Sequence, residues 1–420
     1  MNTTKSFDVS KQVVWEAYKR VKANKGAAGV DDESIEDFEK NLKDNLYKIW
    51  NRMSSGSYVP PPVRMVEIPK KDKGTRMLGI ACVSDRVAQT VVKIYLEPEI
   101  EPHFHEDSFG YRPVKSALDA VGKARERCWR YDWVLDLDIQ KFYDSIDREL
   151  LMRAVRKHTD SKWIILYTER WIKAPLKTTD GQLKVMEQGI FQGNVISPLL
   201  ANLFLHYALD VWLKRNYPNN PYERYADDAL VHCRTQAEAQ EIWQAIERRL
   251  AECRLKLHPE KTKIVYCKED RRQGNYLHEK FDFLGYTFRA RRTKSRKGKY
   301  FVGFSPAVSN KSKKAMGQNI RQWKLHLRSD KSLEDISHMF NPILSGWINY
   351  YGMYYKSELY PILRHLNCTL TRWATRKYKR LKNHRRRAEH WLGNIAMREP
   401  KLFAHWKWVK PANDRTIRAG

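Results

Sequence analysis

Along "WVLDLDIQKFYDSID" (133–147), Trp133, Leu135, Leu137 and Ile139 alternate with Val134, Asp136 and Asp138. A period of two predicts a strand that points Asp136 and Asp138 to one face. In "ERYADDALVH" (223–232) an apolar strand runs into an Asp-Asp tip and back out, the pattern of a hairpin. From about 131 to 288, strand-like runs alternate with helical ones, which is an α/β pattern. Upstream, "KQVVWEAYKRVKANKG" predicts a helix ended by Gly26, and "YVPPPVRMVEIPKKDKGTRMLGI" predicts strand, basic turn and strand around Lys70–Gly74. From about 305 the pattern turns helical. Met316, Ile320, Trp323 and Leu327 recur at helical spacing, as do Phe340, Leu344, Trp347 and Tyr351, and both stripes read as core. The segment 292–299, "RTKSRKGK", reads as a linker or a basic hairpin tip.

The 420 residues suffice for two or three domains. Charge changes the picture more than length does. Formal net charge is +29, and residues 289–420 carry 31 Lys/Arg against 7 Asp/Glu. A nearly balanced body with so basic a final third predicts a polyanion partner, nucleic acid first, because aromatic residues are interleaved there. No run approaches a membrane span, and the polar start "MNTTKSFDVSKQ" does not read as a signal peptide. Cys82, Cys128, Cys233, Cys253, Cys267 and Cys368 are scattered without zinc spacing, which predicts a reduced, cytoplasmic protein with no structural zinc.

Two adjacent aspartates in a strongly basic chain need a reason. If the Asp227-Asp228 tip lies beside the strand leading to Asp138, three carboxylates converge, and they repel unless protonated or neutralised by cations. Hard oxygen ligands suit Mg²⁺. Two such ions can activate a 3′-hydroxyl and stabilise a leaving pyrophosphate. A surface turn with two solvated aspartates is the plain alternative. His206, His232 and His258 have no metal-ligand company and read as structural, and Cys233 as a small core residue.

Tyr225-Ala226-Asp227-Asp228 resembles the YxDD box of reverse transcriptases, and Asp138 with Tyr143 resembles their first catalytic motif. The chain is similar over almost its whole length to bacterial group II intron-encoded reverse transcriptase/maturases. "KANKGAAGVD" (22–31), "VEIPKKDKGTRMLGI" (66–80), "DSFGYRPVKSALDAV" (107–121), "QGNVISPLLANLFLH" (192–206), "LHPEKTKIVY" (257–266), "FDFLGYTF" (281–288) and "FNPILSGWINYYG" (340–352) follow in family order. The resemblance implies an α/β (α+β) right-hand polymerase followed by an all-α basic thumb, maturase domain X. It divides the chain into an N-terminal extension and fingers (1–130), a palm (131–300), the thumb (301–390) and a short basic tail (391–420).

Carried over by position, it makes Asp138, Asp227 and Asp228 the catalytic metal ligands, with the Ile139 carbonyl completing one site. It implies two Mg²⁺ ions, with Mn²⁺ as the alternative. Tyr143 would sit under the nucleotide sugar and exclude a 2′-hydroxyl. Lys70 and Arg76 would reach the dNTP triphosphate, and Gln192 and Gly193 would pass close under nucleotide and template. Lys261 would protonate the leaving pyrophosphate, although Lys263 is equally placed along the chain. Ser197-Pro198 fits a helix start, with serine at the N-cap. Arg112 is either a template contact or a structural ion pair.

"TRWATRKYKRLKNHRRRAEHW" (371–391) reads as a helix, with Arg376, Lys377, Arg380, Arg385, Arg386 and Arg387 able to contact RNA phosphates. The implied partners are an RNA template, a DNA or RNA primer, dNTPs, group II intron RNA and a DNA target. The implied activity is RNA-directed DNA polymerisation with assistance to intron splicing and mobility. Many relatives continue into a cysteine-rich HNH endonuclease. No such cluster stands here, so bottom-strand cleavage is not expected. The chain departs from the family at Ile190-Phe191-Gln192-Gly193-Asn194, where members read T-P-Q-G-G, and at Met77 and Ala81, where proline is frequent. Those positions bear on fidelity, processivity and substrate. They keep open a free-standing reverse transcriptase in DNA repair or phage defence, and a splicing maturase with a vestigial polymerase site.

Overall fold

A computed structural model describes residues 6–69, 75–294 and 298–412. Two compact units emerge, residues 1–120 with 135–264, and residues 121–134 with 265–420. The second unit draws residues 121–134 from well upstream.

In the first unit, Ser10 caps the helix Lys11–Ala23 by accepting from the Gln12 amide. That helix stops at Asn24, two residues before Gly26. Val63–Pro69 and Thr75–Ile80 form an antiparallel pair in register Arg64↔Ile80 to Pro69↔Thr75. Leu176–Lys177 and Leu183–Lys184 complete that four-stranded sheet. The buried helix Val83–Ile100 contributes Val87, Ala88, Val91, Val92 and Leu96 to the core. A second sheet orders its strands Tyr222–Tyr225, Asp228–Cys233, Trp133–Leu137 and Lys263–Tyr266. The last two strands carry the chain between the units. Ser197 is the first residue of the helix Ser197–Leu205 and Ile196 is its N-cap, one position earlier than the serine cap read from sequence.

In the second unit, Lys280–Phe283, Tyr286–Lys294 and Tyr300–Val308 make a three-stranded antiparallel sheet. Lys294 pairs with Tyr300 across two neighbouring strands; residues 295–297 of the basic segment lie outside the described residues. The strand runs on to Val308, and the helices begin at Asn310 rather than near 305. Phe281 and Phe288 stack at 4.6 Å on this sheet.

The helix Asn310–Gln322 ends before Trp323, and Lys324 turns left-handed, which leaves Leu327 63% exposed and outside the core stripe. The helix Leu333–Tyr351 opens with a capping box between Ser332 and Asp335. The stretch 371–391 is two helices, Tyr360–Lys377 and Arg385–Arg398, with a break between them. Trp373, Trp406, Phe403 and Phe340 gather in one core. Truncating a buried tryptophan such as Trp373 to alanine costs about 3–5 kcal/mol. Among the described residues no helix is long and apolar enough to cross a membrane.

Candidate active site

Tyr225 pairs with Asp228, leaving Ala226-Asp227 as a two-residue turn. Ala226 takes φ +56°, the left-handed conformation that lets so short a turn close. Behind it Ala229, Leu230, Val231, His232 and Cys233 are buried, and Asp228 is the one open residue of its strand. The aspartates are therefore presented at the tip of a largely buried hairpin.

Asp138 follows the end of Trp133–Leu137. The segment after Leu255 closes over it. The His258 amide donates to the Asp138 carbonyl at 2.7 Å, and the Gln140 amide donates to Lys256 at 2.8 Å. Both bonds flank Ile139, whose own N–H and C=O take no part in them. Lys261 Nζ lies 2.9 Å from Asp138 Oδ2, and Lys263 Nζ lies 3.5 Å from Asp136 Oδ2.

Although solvent reaches one side of Asp228, protein crowds its carboxyl. That crowding, together with Asp227, Asp136 and Asp138, pushes its pKa up to about 7, with Lys261 opposing. Burial comes first among these causes and the like charges add to it. Among the described residues, however, no group of three or more His, Cys, Asp or Glu is arranged to hold a metal ion. The converging carboxylates read from sequence thus act on Asp228 through their charge, without forming a closed cage. The donors are hard oxygens and suit a divalent cation.

The nucleotide-side candidates come from several elements. Gly193 has φ +108°, and a Cβ there would lie 2.6 Å from the Gly79 carbonyl. The Gly79 amide donates to the Gln192 carbonyl at 2.7 Å, so Gln192-Gly193 is docked on Thr75–Ile80. Arg76 lies on that strand, opposite Ile68. Lys70 lies outside the described residues. Asn194 is buried with ordinary backbone, and its Oδ1 has no partner, so the departure from glycine asks nothing unusual of its φ. Tyr143 is nearly buried in the short helix Phe142–Ser145, and its carbonyl accepts from the Ile190 amide at 2.9 Å.

Two of the basic candidates are engaged within the fold. Arg112 is a structural ion pair: Nε and Nη2 donate to Glu101 Oε1 at 2.9 and 2.7 Å, and Nη1 to the carbonyls of His105 and Ser108. Four of its five N–H groups are so engaged, and its side chain is 7% exposed. Lys377 Nζ donates to the carbonyls of Ser329 and Lys331 at 2.9 and 2.8 Å, which makes it a strut within the helical unit. Arg376, Arg380, Arg386 and Arg387 are exposed, and Arg385 pairs with Glu389 at 2.9 Å.

Sequence reasoning missed the support beneath the site. Asp85 accepts from Tyr58, Trp171 and Gln89, and Gln89 Oε1 accepts from the Val195 amide at 2.9 Å, just past Gly193. It also missed Arg224, fully buried on Asp210. The only signal was an arginine directly before the aspartate box. His232 and Glu223, both fully buried, pair at 2.6 Å.

Residues 68–288 match the reverse transcriptase (RNA-dependent DNA polymerase) family, and residues 313–391 match the group II intron maturase-specific domain. Protein YkfC of Escherichia coli K12 is 29% identical over 332 residues, which is 68% of this chain and 82% of that protein. Group II intron-encoded protein LtrA of Lactococcus lactis is 31% identical over 46% of this chain and 32% of its own length. A putative COX1/OXI3 intron 1 protein of Saccharomyces cerevisiae is 26% identical over 47% of this chain and 24% of its own length. The chain spans less than a third of the length of these two intron-related proteins. With the aspartate hairpin, the acidic strand and a helical unit bearing the maturase-specific domain all in place, the chain belongs to the reverse transcriptase (RNA-dependent DNA polymerase) family.

Proposed function

We propose that this chain extends the 3′-hydroxyl of a DNA or RNA primer on an RNA template, consuming dNTPs in the cytoplasm, and that its helical unit binds group II intron RNA and assists splicing and mobility at a DNA target. The observation that carries the polymerase reading is the two-residue turn that presents Asp227 and Asp228 side by side, with Lys261 Nζ 2.9 Å from Asp138 as a local cation. The maturase-specific match over 313–391 supports the intron reading.

Asp138, Asp227 and Asp228 would hold two Mg²⁺ ions, with Mn²⁺ as the alternative and the Ile139 carbonyl as a further oxygen. Such ions supply activation of the 3′-oxygen and neutralisation of the leaving phosphate charge. The rest is done by the chain itself. The hairpin fixes the aspartates, the Gln192-Gly193 backbone allows close approach of the base pair, and Tyr143 limits the space at the sugar. Lys261, bonded to Asp138, holds a proton within reach of a leaving pyrophosphate.

Primer extension on an RNA template with Mg²⁺ and dNTPs, wild type against Asp227→Ala, tests the reading. Product from wild type and none from the variant, with RNA binding retained in both, is the expected result. A wild type that binds RNA tightly and makes no cDNA replaces the polymerase reading with a maturase-only one.

A further inference from the structure

Arg224, directly before the Tyr225-Ala226-Asp227-Asp228 box, is fully buried, and every N–H of its guanidinium has an acceptor. Nε donates to Asp210 Oδ1 at 2.8 Å and Nη2 to Asp210 Oδ2 at 2.5 Å. Nη2 also serves Ser108 Oγ at 2.9 Å. Nη1 serves Asn202 Oδ1 at 3.0 Å and the Ala226 carbonyl at 2.9 Å. Only a planar fork with five donors can make this set; an ammonium has three donors at one point.

Three features give the network a purpose. The carbonyl it grips belongs to Ala226, held left-handed, a conformation alanine keeps only under constraint. The backbone of Gly110 closes the other side of the turn: a Cβ there would lie 2.4 Å from the Ala226 nitrogen. Asn202, which accepts from Arg224, also donates to the Gly110 carbonyl at 2.6 Å, so one side chain ties both walls. Finally, Asp210 ends a single π-helical turn, His206–Asp210, a widened helix geometry that recurs at functional sites.

We infer that Arg224 and Asp210 form a positioning pair that holds Ala226 left-handed and so fixes Asp227 and Asp228 in the orientation a divalent cation requires. The inference rests on the metal-binding reading of those carboxylates. Neither residue touches the reacting atoms. A buried ion pair is weak evidence for stability, since apolar replacements of similar volume are often neutral; this pair supplies geometry.

Mn²⁺ alone is the probe, titrated into the full chain and followed by the EPR signal of the free ion, with thermal unfolding measured alongside. Arg224→Lys keeps the charge and gives up the fork. Mn²⁺ affinity is expected to fall about 10–100-fold, the range that partners behind metal ligands carry. In primer extension, kcat falls in parallel while KM for dNTP stays within about twofold. Adding Ala226→Gly, which accepts positive φ without a clamp, is expected to restore most of the affinity; a merely structural pair gives no such rescue.

A folded Arg224→Lys protein that binds Mn²⁺ like wild type overturns the inference, as does a loss that Ala226→Gly leaves untouched. If Arg224→Lys does not fold, Asp210→Asn, which keeps the shape and gives up the charge, takes its place in the same titration. Weakened Mn²⁺ binding that Ala226→Gly restores then supports the pair, and unchanged binding overturns it. Wild type that binds Mn²⁺, loses it in Asp227→Ala and extends no primer removes the polymerase reading alone. Binding indifferent to Asp227→Ala removes both.

Discussion

Lys261 reaches Asp138 at 2.9 Å while Lys263 reaches Asp136 at 3.5 Å, so two lysines equivalent along the chain take different carboxylates. Lys261 is 59% exposed against 29% for Lys263, which gives it room to leave Asp138 for an incoming phosphate.

Lys261→Gln is therefore expected to lower kcat for primer extension by about 10²-fold, within the range of a positioned general acid, with KM for primer–template unchanged. An exposed pair contributes only about 0–1 kcal/mol, so the melting temperature moves little. Lys263→Gln serves as the comparison. Equal losses of kcat in the two variants would remove Lys261 from proton transfer.

Gly193→Ala is expected to cost about 1–3 kcal/mol of stability and to raise KM for dNTP. The added methyl meets the Gly79 carbonyl at 2.6 Å and Leu78 Cγ at 3.0 Å, at a φ of +108° that L-residues rarely adopt. Urea unfolding together with steady-state dNTP kinetics reads both effects. An unchanged KM in a folded variant separates this loop from the nucleotide.

The aspartate hairpin and the acidic strand were legible because Asp136 and Asp138 stand two apart among apolar residues and a two-residue acidic turn interrupts the run that leads into a buried strand. The pairing of Tyr225 with Asp228 follows directly from it. What stayed hidden depended on partners chosen in three dimensions. Asp210 lies 14 residues before Arg224 on a π turn, and nothing local marks it as the acceptor. Lys377 carries the same charge as its exposed neighbour Arg376, and only the carbonyls of Ser329 and Lys331 distinguish it. Leu327 fitted the helical stripe until the left-handed Lys324 broke the helix ahead of it.

Acid sensitivity is expected from His405. It is fully buried, its Nε2 stands 2.7 Å from Asn367 Oδ1, and Trp406 Nε1 donates to the same oxygen at 3.1 Å. That oxygen accepts, so Nε2 carries the proton and Nδ1, which has no partner, stays bare. Burial lowers the imidazole pKa to about 3. Between that value and about 6.5 the unfolded chain takes up a proton that the folded one refuses. The contribution is complete above about pH 6.5 and is lost as pH falls from there toward 3, at up to ~1.4 kcal/mol per pH unit. Urea midpoints at pH 8 and pH 5 should converge in His405→Gln relative to wild type. Parallel shifts in the two proteins would assign the acid loss to other groups.

The basic helical unit makes a prediction that separates phosphate contacts from struts. Arg386 and Arg387 are exposed at the start of Arg385–Arg398, whereas Lys377 spends its ammonium on two carbonyls. Each cation that displaces a counterion from a nucleic acid adds to the salt dependence of binding. Neutralising it should flatten the plot of log K against log salt by about 0.7–0.9. Arg386→Gln with Arg387→Gln is therefore expected to reduce the slope by about twice that, measured by anisotropy of a labelled RNA duplex between about 50 and 200 mM salt. Lys377→Gln should leave the slope alone and lower the melting temperature, because it unties Ser329 and Lys331 from the end of the helix Tyr360–Lys377. The reverse pattern, a flatter slope from Lys377→Gln and none from the arginine pair, would move the RNA contact off this helix start and return Lys377 to the phosphate surface.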